Sequence, residues 1–189
     1  LRHLGGINMD MKQFDSALVN FSESLVLEQQ LENKPGIANT LENLGELYFH
    51  RKEYNKALNN YKQALMINQE IGNRKGVASN YTNMGETLLQ MNKSQEAIRY
   101  YRLSLSIARE LGILGTIQND YLGLAHAYQQ MGYYREALNF YFSFQNIKDT
   151  LLTEQIHKQI AELETKYQIQ QKVKKLQLKD AEIMRKDLE

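Results

Sequence analysis

"NLGELYFHRKEYNKALNNYKQAL", Asn43 to Leu65, is echoed forty residues later by "NMGETLLQMNKSQEAIRYYRLSL", Asn83 to Leu105. The same shift applied to the whole chain aligns Gly5, Gly45, Gly85 and Ala125, then Ala17, Ala57, Ala97 and Ala137, then Phe21, Tyr61, Tyr101 and Tyr141. Four copies result. They are separated by related breaks, "LENKPG" ending at Gly36, "IGNRKG" ending at Gly76 and a looser "LGILGT" ending at Thr116. A period of this length marks a solenoid, in which one unit cannot bury its apolar face alone and each copy supplies the wall for the next.

Within a copy the apolar period is helical. Leu41, Leu44, Leu47 and Tyr48 form one stripe, and Ala57, Leu58, Tyr61, Ala64 and Leu65 form another, at the i, i+3, i+4, i+7 spacing of amphipathic helices. The polar break between them, "HRKEYN", has room only for a tight turn between antiparallel helices. Gly45 and Gly85 on the first helix, with Ala57, Ala97 and Ala137 on the second, are expected to let the two backbones approach closely. A leucine at such a place would overpack by about 1 to 3 kcal/mol.

This pattern resembles the tetratricopeptide repeat: a Leu-Gly pair, an aromatic three residues on, an alanine after the turn, an aromatic four beyond it and a small residue at Ala64. The third copy matches with Gly85, Leu88, Ala97, Tyr101 and Ser104, the first with Gly5, Ala17, Phe21 and Ser24. The fourth carries Ala125 for the glycine and Phe144 for a small residue, which points to a modified last interface. The resemblance implies an all-α, right-handed superhelical solenoid with repeats at about 1–36, 37–76, 77–116 and 117–150. The family's usual period is thirty-four; the extra residues here are expected to lengthen the second helix and its exit loop.

From Thr153 to Glu189 the chain has neither glycine nor proline and is rich in helix formers, so 151–189 reads as one long C-terminal helix. Ile156, Ile160, Leu163 and Tyr167 share a face expected to cap the last repeat, since a solenoid's terminal face is otherwise exposed. Beyond them Val173, Leu176 and Ile183 form a thin stripe suited to a coiled-coil seam, and with it a homodimer; the alternative is a solvated helix. The passage "KDTLLTEQIHKQIAELETKYQIQQK" is similar to the connector that follows forty-residue tetratricopeptide repeats in sensor proteins of Bacteroidetes-type bacteria. That resemblance implies the ligand-sensing input region of a histidine kinase or transcriptional regulator. It places the chain on the periplasmic side of a membrane-anchored sensor, or alternatively in a cytoplasmic regulator. Leu1 already falls inside a helical pattern, so the chain is expected to be a piece of a longer one, in which a membrane span could follow.

Composition removes several function classes. Lys and Arg number 23 against 22 Asp and Glu, so there is no basic field to drive nucleic-acid or anionic-membrane binding. The aromatic residues align with the repeat core rather than with a groove interleaved with cations, which argues further against single-stranded nucleic acid. With no cysteine, thiolate metal and redox sites are excluded. His3, His50, His126 and His157 fall in different elements without metal-ligand spacing, and no glycine pair has the context of a phosphate loop. Carboxylates are spread over every exposed face, so no acid/base pair stands out. A non-catalytic module without metal or cofactor is expected.

Recognition of a protein or peptide remains. The first helices of stacked pairs form an inner wall, a groove for an extended peptide or a partner's helix. An asparagine amide can donate to and accept from an extended backbone. Asn43 and Asn83 stand in register at the position that resembles the peptide-contacting asparagine of ligand-binding members, with Glu46 and Glu86 in register three residues on and His126 following them in the fourth copy. Asn39 and Asn119 lie one turn earlier on that face. Glu42 and Thr82 occupy positions where the resemblance would put carboxylate-clamping cations, so a neutral or cationic partner fits better than an acidic one. A constitutive assembly scaffold is the alternative to a sensor, and a merely solvated polar wall the alternative to a binding row.

Overall fold

The computed structural model describes residues 1–186, with side chains throughout 1–155 and at some positions of 156–175. The described residues form eight α-helices and no strand: α1 (Arg2–Asp10), α2 (Phe14–Gln30), α3 (Lys34–His50), α4 (Tyr54–Glu70), α5 (Arg74–Gln90), α6 (Ser94–Leu111), α7 (Leu114–Gln130) and α8 (Tyr134–Lys186). Contacts divide the chain into two units, Leu1–Ile147 and Lys148–Glu189. The first holds the helix pairs, the fourth of them completed by the first turns of α8.

One device makes every turn. Lys12, Glu32, Lys52, Gly72, Asn92, Gly112 and Gly132 all have positive φ, and they recur every twenty residues. The amide after each reaches back five residues, as in Glu53 N–H to Tyr48 O (2.8 Å) and Asn73 N–H to Asn68 O (2.8 Å), which satisfies the orphan carbonyls of the preceding helix. Since α3, α4, α5 and α7 each run 17 residues, the long period is shared equally between the two helices of a pair. The expectation that the extra residues lengthen the second helix and its exit loop is therefore corrected. Two odd-numbered helices also start alike: the Asn33 and Asn73 side chains cap them by accepting from Gly36 N–H (3.2 Å) and Gly76 N–H (3.1 Å).

The core lies between successive pairs. Ala17, Ala57 and Ala97 are wholly buried, as are Phe21, Tyr61 and Tyr101 apart from a trace of exposure. Each of those rings contributes about 1.5 to 3 kcal/mol by burial. The glycines have a different use from the one expected: what they admit is an aromatic ring rather than a neighbouring backbone. A Cβ on Gly45 would lie 2.5 Å from Tyr61 Cε1, and one on Gly85 3.0 Å from Tyr101 Cε1. In the fourth copy Tyr141, expected in the core, is 50% exposed, because no further pair stacks on it among the described residues. Phe144, the bulky departure, packs beside it with ring centroids 5.7 Å apart. Ion pairs thirty-six residues apart, Lys34–Glu70 and Arg74–Glu110 (both 2.5 Å), repeat the register on the surface. Being exposed they add little, at most about 1 kcal/mol each.

In the second unit Leu163, placed on the expected capping face, is exposed, as is Val173 of the expected seam. The side chains of Ile156, Ile160, Tyr167, Leu176 and Ile183 lie outside the described residues. Among the described residues no helix is long and apolar enough to cross a membrane.

Candidate functional site

Helices α1, α3, α5 and α7 touch one another in sequence, whereas α2, α4 and α6 touch only their odd-numbered neighbours. A stack whose odd helices converge and whose even helices splay is concave on the odd side. That wall carries the predicted row, and two adjoining cavities open on it. One, of about 330 Å³, is lined by Glu46, Phe49, His50, Tyr61, Asn83 and Glu86. The other, of about 270 Å³, lies between α5 and α7, with Asn83, Glu86, Gln90, Tyr101, Asn119 and His126 among its walls. Asn83 and Glu86 belong to both, so the two cavities form one groove centred on α5.

Five of the seven predicted groove residues thus meet there: Glu46, Asn83, Glu86, Asn119 and His126. Asn39 is exposed and Asn43 half-buried on α3, and neither lines these cavities. The sequence reading missed Tyr61 and Tyr101, which it assigned to the core alone. Each is almost wholly buried and also lines one of the cavities. The signal was the choice of tyrosine where the first copy has Phe21: a ring that only fills a core needs no hydroxyl. His50 was also missed, though it follows Glu46 by one helical turn and its Nε2 lies 3.8 Å from the Glu46 carboxylate.

The groove combines neutral phenols with carboxylates. Burial lifts the phenols of Tyr61 and Tyr101 well above the ordinary tyrosine range, and the Glu46, Glu86 and Glu42 charges act in the same direction on Tyr61, those of Glu86 and Asp120 on Tyr101. Both remain neutral hydroxyls. Partial desolvation in the wall raises the Glu86 carboxyl; His50 and His126 oppose the rise while Glu46 adds to it. Glu42, by contrast, is not available to a ligand. Its Oε1 accepts from Asn68 Nδ2 (2.9 Å) and Asn80 Nδ2 (3.0 Å), and Asn68 in turn accepts from the capping Asn73 (2.8 Å). This buried network ties the second repeat to the third. Among the described residues no group of histidine and acidic side chains is arranged to hold a metal ion.

A stack of such pairs around a polar inner groove defines a helical-repeat protein of the protein–protein interaction class. Sequence models described as "Tetratricopeptide repeat" match residues 1–70, 38–110 and 121–144, so the chain belongs to the tetratricopeptide repeat family. No curated protein matches its sequence. Solved structures that share the fold include three of different kinds. The TPR domain of Arabidopsis FLU is 23% identical with a TM-score of 0.59, over 62% of this chain and 98% of that one. A STAND signal transduction ATPase with a tetratricopeptide repeat sensor, from Pyrococcus horikoshii, is 18% identical (TM-score 0.70; 77% and 23% covered). A Rap protein complexed with competence and sporulation factor is 20% identical (TM-score 0.70; 79% and 42% covered). The chain spans less than half of the latter two.

Proposed function

We propose that the groove on α3, α5 and α7 binds an extended protein segment, neutral or basic, and that the chain is the ligand-sensing input region of a signalling or regulatory protein. The observation that carries the reading is the sharing of Asn83 and Glu86 by two adjoining cavities. An amide and a carboxylate stand at the centre, Tyr61 and Tyr101 line the two cavities, and a second carboxylate, Glu46, stands one repeat away. A lysine or arginine side chain bound there gains charge-assisted hydrogen bonds from Glu86. Support for the sensor setting comes from the tail's resemblance to a sensor connector and from the two similar structures described as having a tetratricopeptide repeat sensor and as complexed with competence and sporulation factor. In this setting the tail forms a homodimer through Val173, Leu176 and Ile183, and ligand binding changes the geometry handed to it. The test is capture of peptides from mixed pools by the parent and by Asn83→Ala/Glu86→Ala, identified by mass spectrometry. Loss of a basic-enriched set in the variant is expected; identical capture by both moves the site off the concave wall and favours the constitutive scaffold.

A further inference from the structure

Behind the groove wall, the described residues leave one buried side-chain atom without a hydrogen-bond partner, Asp120 Oδ2. Asp120 stands on α7 with no exposure at all, facing α5 and α6. Its Oδ1 accepts from Thr82 Oγ1 (2.7 Å) on α5; that hydroxyl lies 2.8 Å from Ser104 Oγ on α6 and 3.3 Å from the Ala78 carbonyl oxygen. Forty residues earlier the same place is held by Asn80, whose amide is satisfied at both ends by Glu42 (3.0 Å) and Asn68 (2.9 Å). In the next register those partners have become Thr82 and Ala108, and the amide has become a carboxyl. The joint between the second and third repeats is closed by a complete network, while the joint between the third and fourth ends in a bare oxygen.

A carboxylate so placed is costly, and a neutral carboxyl far less so. Burial pushes the Asp120 carboxyl up to about 7, with the Thr82 and Ser104 hydroxyls pulling the other way. The groups that face it are hydroxyls: Thr82 from α5, Ser104 from α6, and the neutral phenol of Tyr101, also on α6, which feels its charge. Farther out stand Glu86 on α5 and His126 on α7, both in the groove, and Arg109 on α6, which donates to Tyr121 Oη (2.6 Å); α8 presents the uncharged Phe140 ring to α7. Among the described residues no cation offsets the charge at the joint itself.

We propose that Asp120 is a proton-operated joint between the third and fourth repeats. With its proton, the carboxyl donates to Thr82 Oγ1, Thr82 turns its own hydrogen to the Ala78 carbonyl, and the α5–α6–α7 interface stays closed. When the proton leaves to solvent, the carboxylate has only the hydroxyls of Thr82 and Ser104 to face it, Oδ2 stays bare, and the interface opens to bring water to it. Thr82 and Tyr101 also line the groove cavity, so opening the joint alters the wall that meets the ligand. That last consequence rests on the groove reading; the joint itself does not.

The test follows the ¹³C resonance of the Asp120 carboxyl in the whole chain, assigned by its absence in Asp120→Asn and by its upward shift in midpoint in Thr82→Val, which loses the donor favouring the charge. A midpoint near 7 is expected; one near the ordinary 3.8 overturns the proposal. Amide hydrogen exchange of α5 to α7 supplies the second readout. The closed form holds the proton more tightly, so opening of the parent relative to Asp120→Asn rises by up to about tenfold per pH unit below 7 and levels off above it. A ratio that does not change with pH also overturns the proposal. Peptide binding separates the two readings, since a carboxyl titrating near 7 in a chain that captures nothing at any pH would retire the groove and leave the joint.

Discussion

Gly45, Gly85 and Gly6 occupy helix interiors that propensity treats alike, yet replacing each by alanine should give three different results. A methyl on Gly45 meets two carbons of the Tyr61 ring at 2.5 and 2.7 Å, far inside contact distance, and Tyr61 is only 3% exposed, so the ring must be displaced from its packed place. Overpacking of this kind costs about 1 to 3 kcal/mol, set against about 1 kcal/mol gained by removing a helical glycine. The net for Gly45→Ala is a loss of up to about 2 kcal/mol. At Gly85 the ring lies at 3.0 to 3.2 Å, so a small shift accommodates the methyl and the two terms nearly cancel. Around Gly6 nothing lies within 4 Å, and Gly6→Ala keeps the whole gain of up to about 1 kcal/mol. Thermal denaturation reads the series directly, at about 2 to 4 °C per kcal/mol for a chain of this size. Equal shifts at Gly45 and Gly85, or a destabilised Gly6→Ala, would show that the rings do not set the cost.

Other consequences follow from single features. Lys52→Gly removes a left-handed residue that carries a Cβ, and should stabilise by about 0.5 to 1 kcal/mol, read from the midpoint of urea unfolding. Asn80→Ala breaks the Glu42–Asn68–Asn80 network at its centre and should cost about 1 to 3 kcal/mol in the same assay. Burial raises the Glu42 carboxyl, with the Asn68 and Asn80 amides opposing. The stability it contributes is therefore complete below its ordinary 4.5 and is lost as pH rises through the raised native value, and Glu42→Gln should flatten that part of the stability–pH curve. Changing Val173, Leu176 and Ile183 together to glutamate should turn a dimer into a monomer in sedimentation velocity; an unchanged oligomeric state would remove the seam.

The repeat architecture was legible because each copy spells the same two stripes, and Gly45 with Tyr61 or Gly85 with Tyr101 reappear at a fixed shift. Five groove residues were legible for the same reason, since residues in register on α3, α5 and α7 must share a wall. What the shift could not convey is how side chains divide the work within a register. Glu42 and Asn43 are sequence neighbours, yet a turn of the helix sends one into a buried network and leaves the other outside both cavities. Asp120 reads as one more polar residue until Thr82, Ser104 and the absence of an Asn68 counterpart are seen together in space. The even split of the long period was hidden too, because Lys12, Glu32 and Lys52 take the left-handed turn position that Gly72, Gly112 and Gly132 take openly.

The central claim is that α5 centres a groove selecting uncharged or basic segments through Glu86. Its most direct test is an array of extended peptides, basic, neutral and acidic, titrated against the parent and Glu86→Lys with binding read by fluorescence anisotropy. The account predicts that the parent prefers basic over acidic peptides by about tenfold or more, one charge-assisted hydrogen bond's worth, and that Glu86→Lys abolishes or inverts the preference. A parent that prefers acidic peptides, or a profile untouched by the substitution, would contradict it.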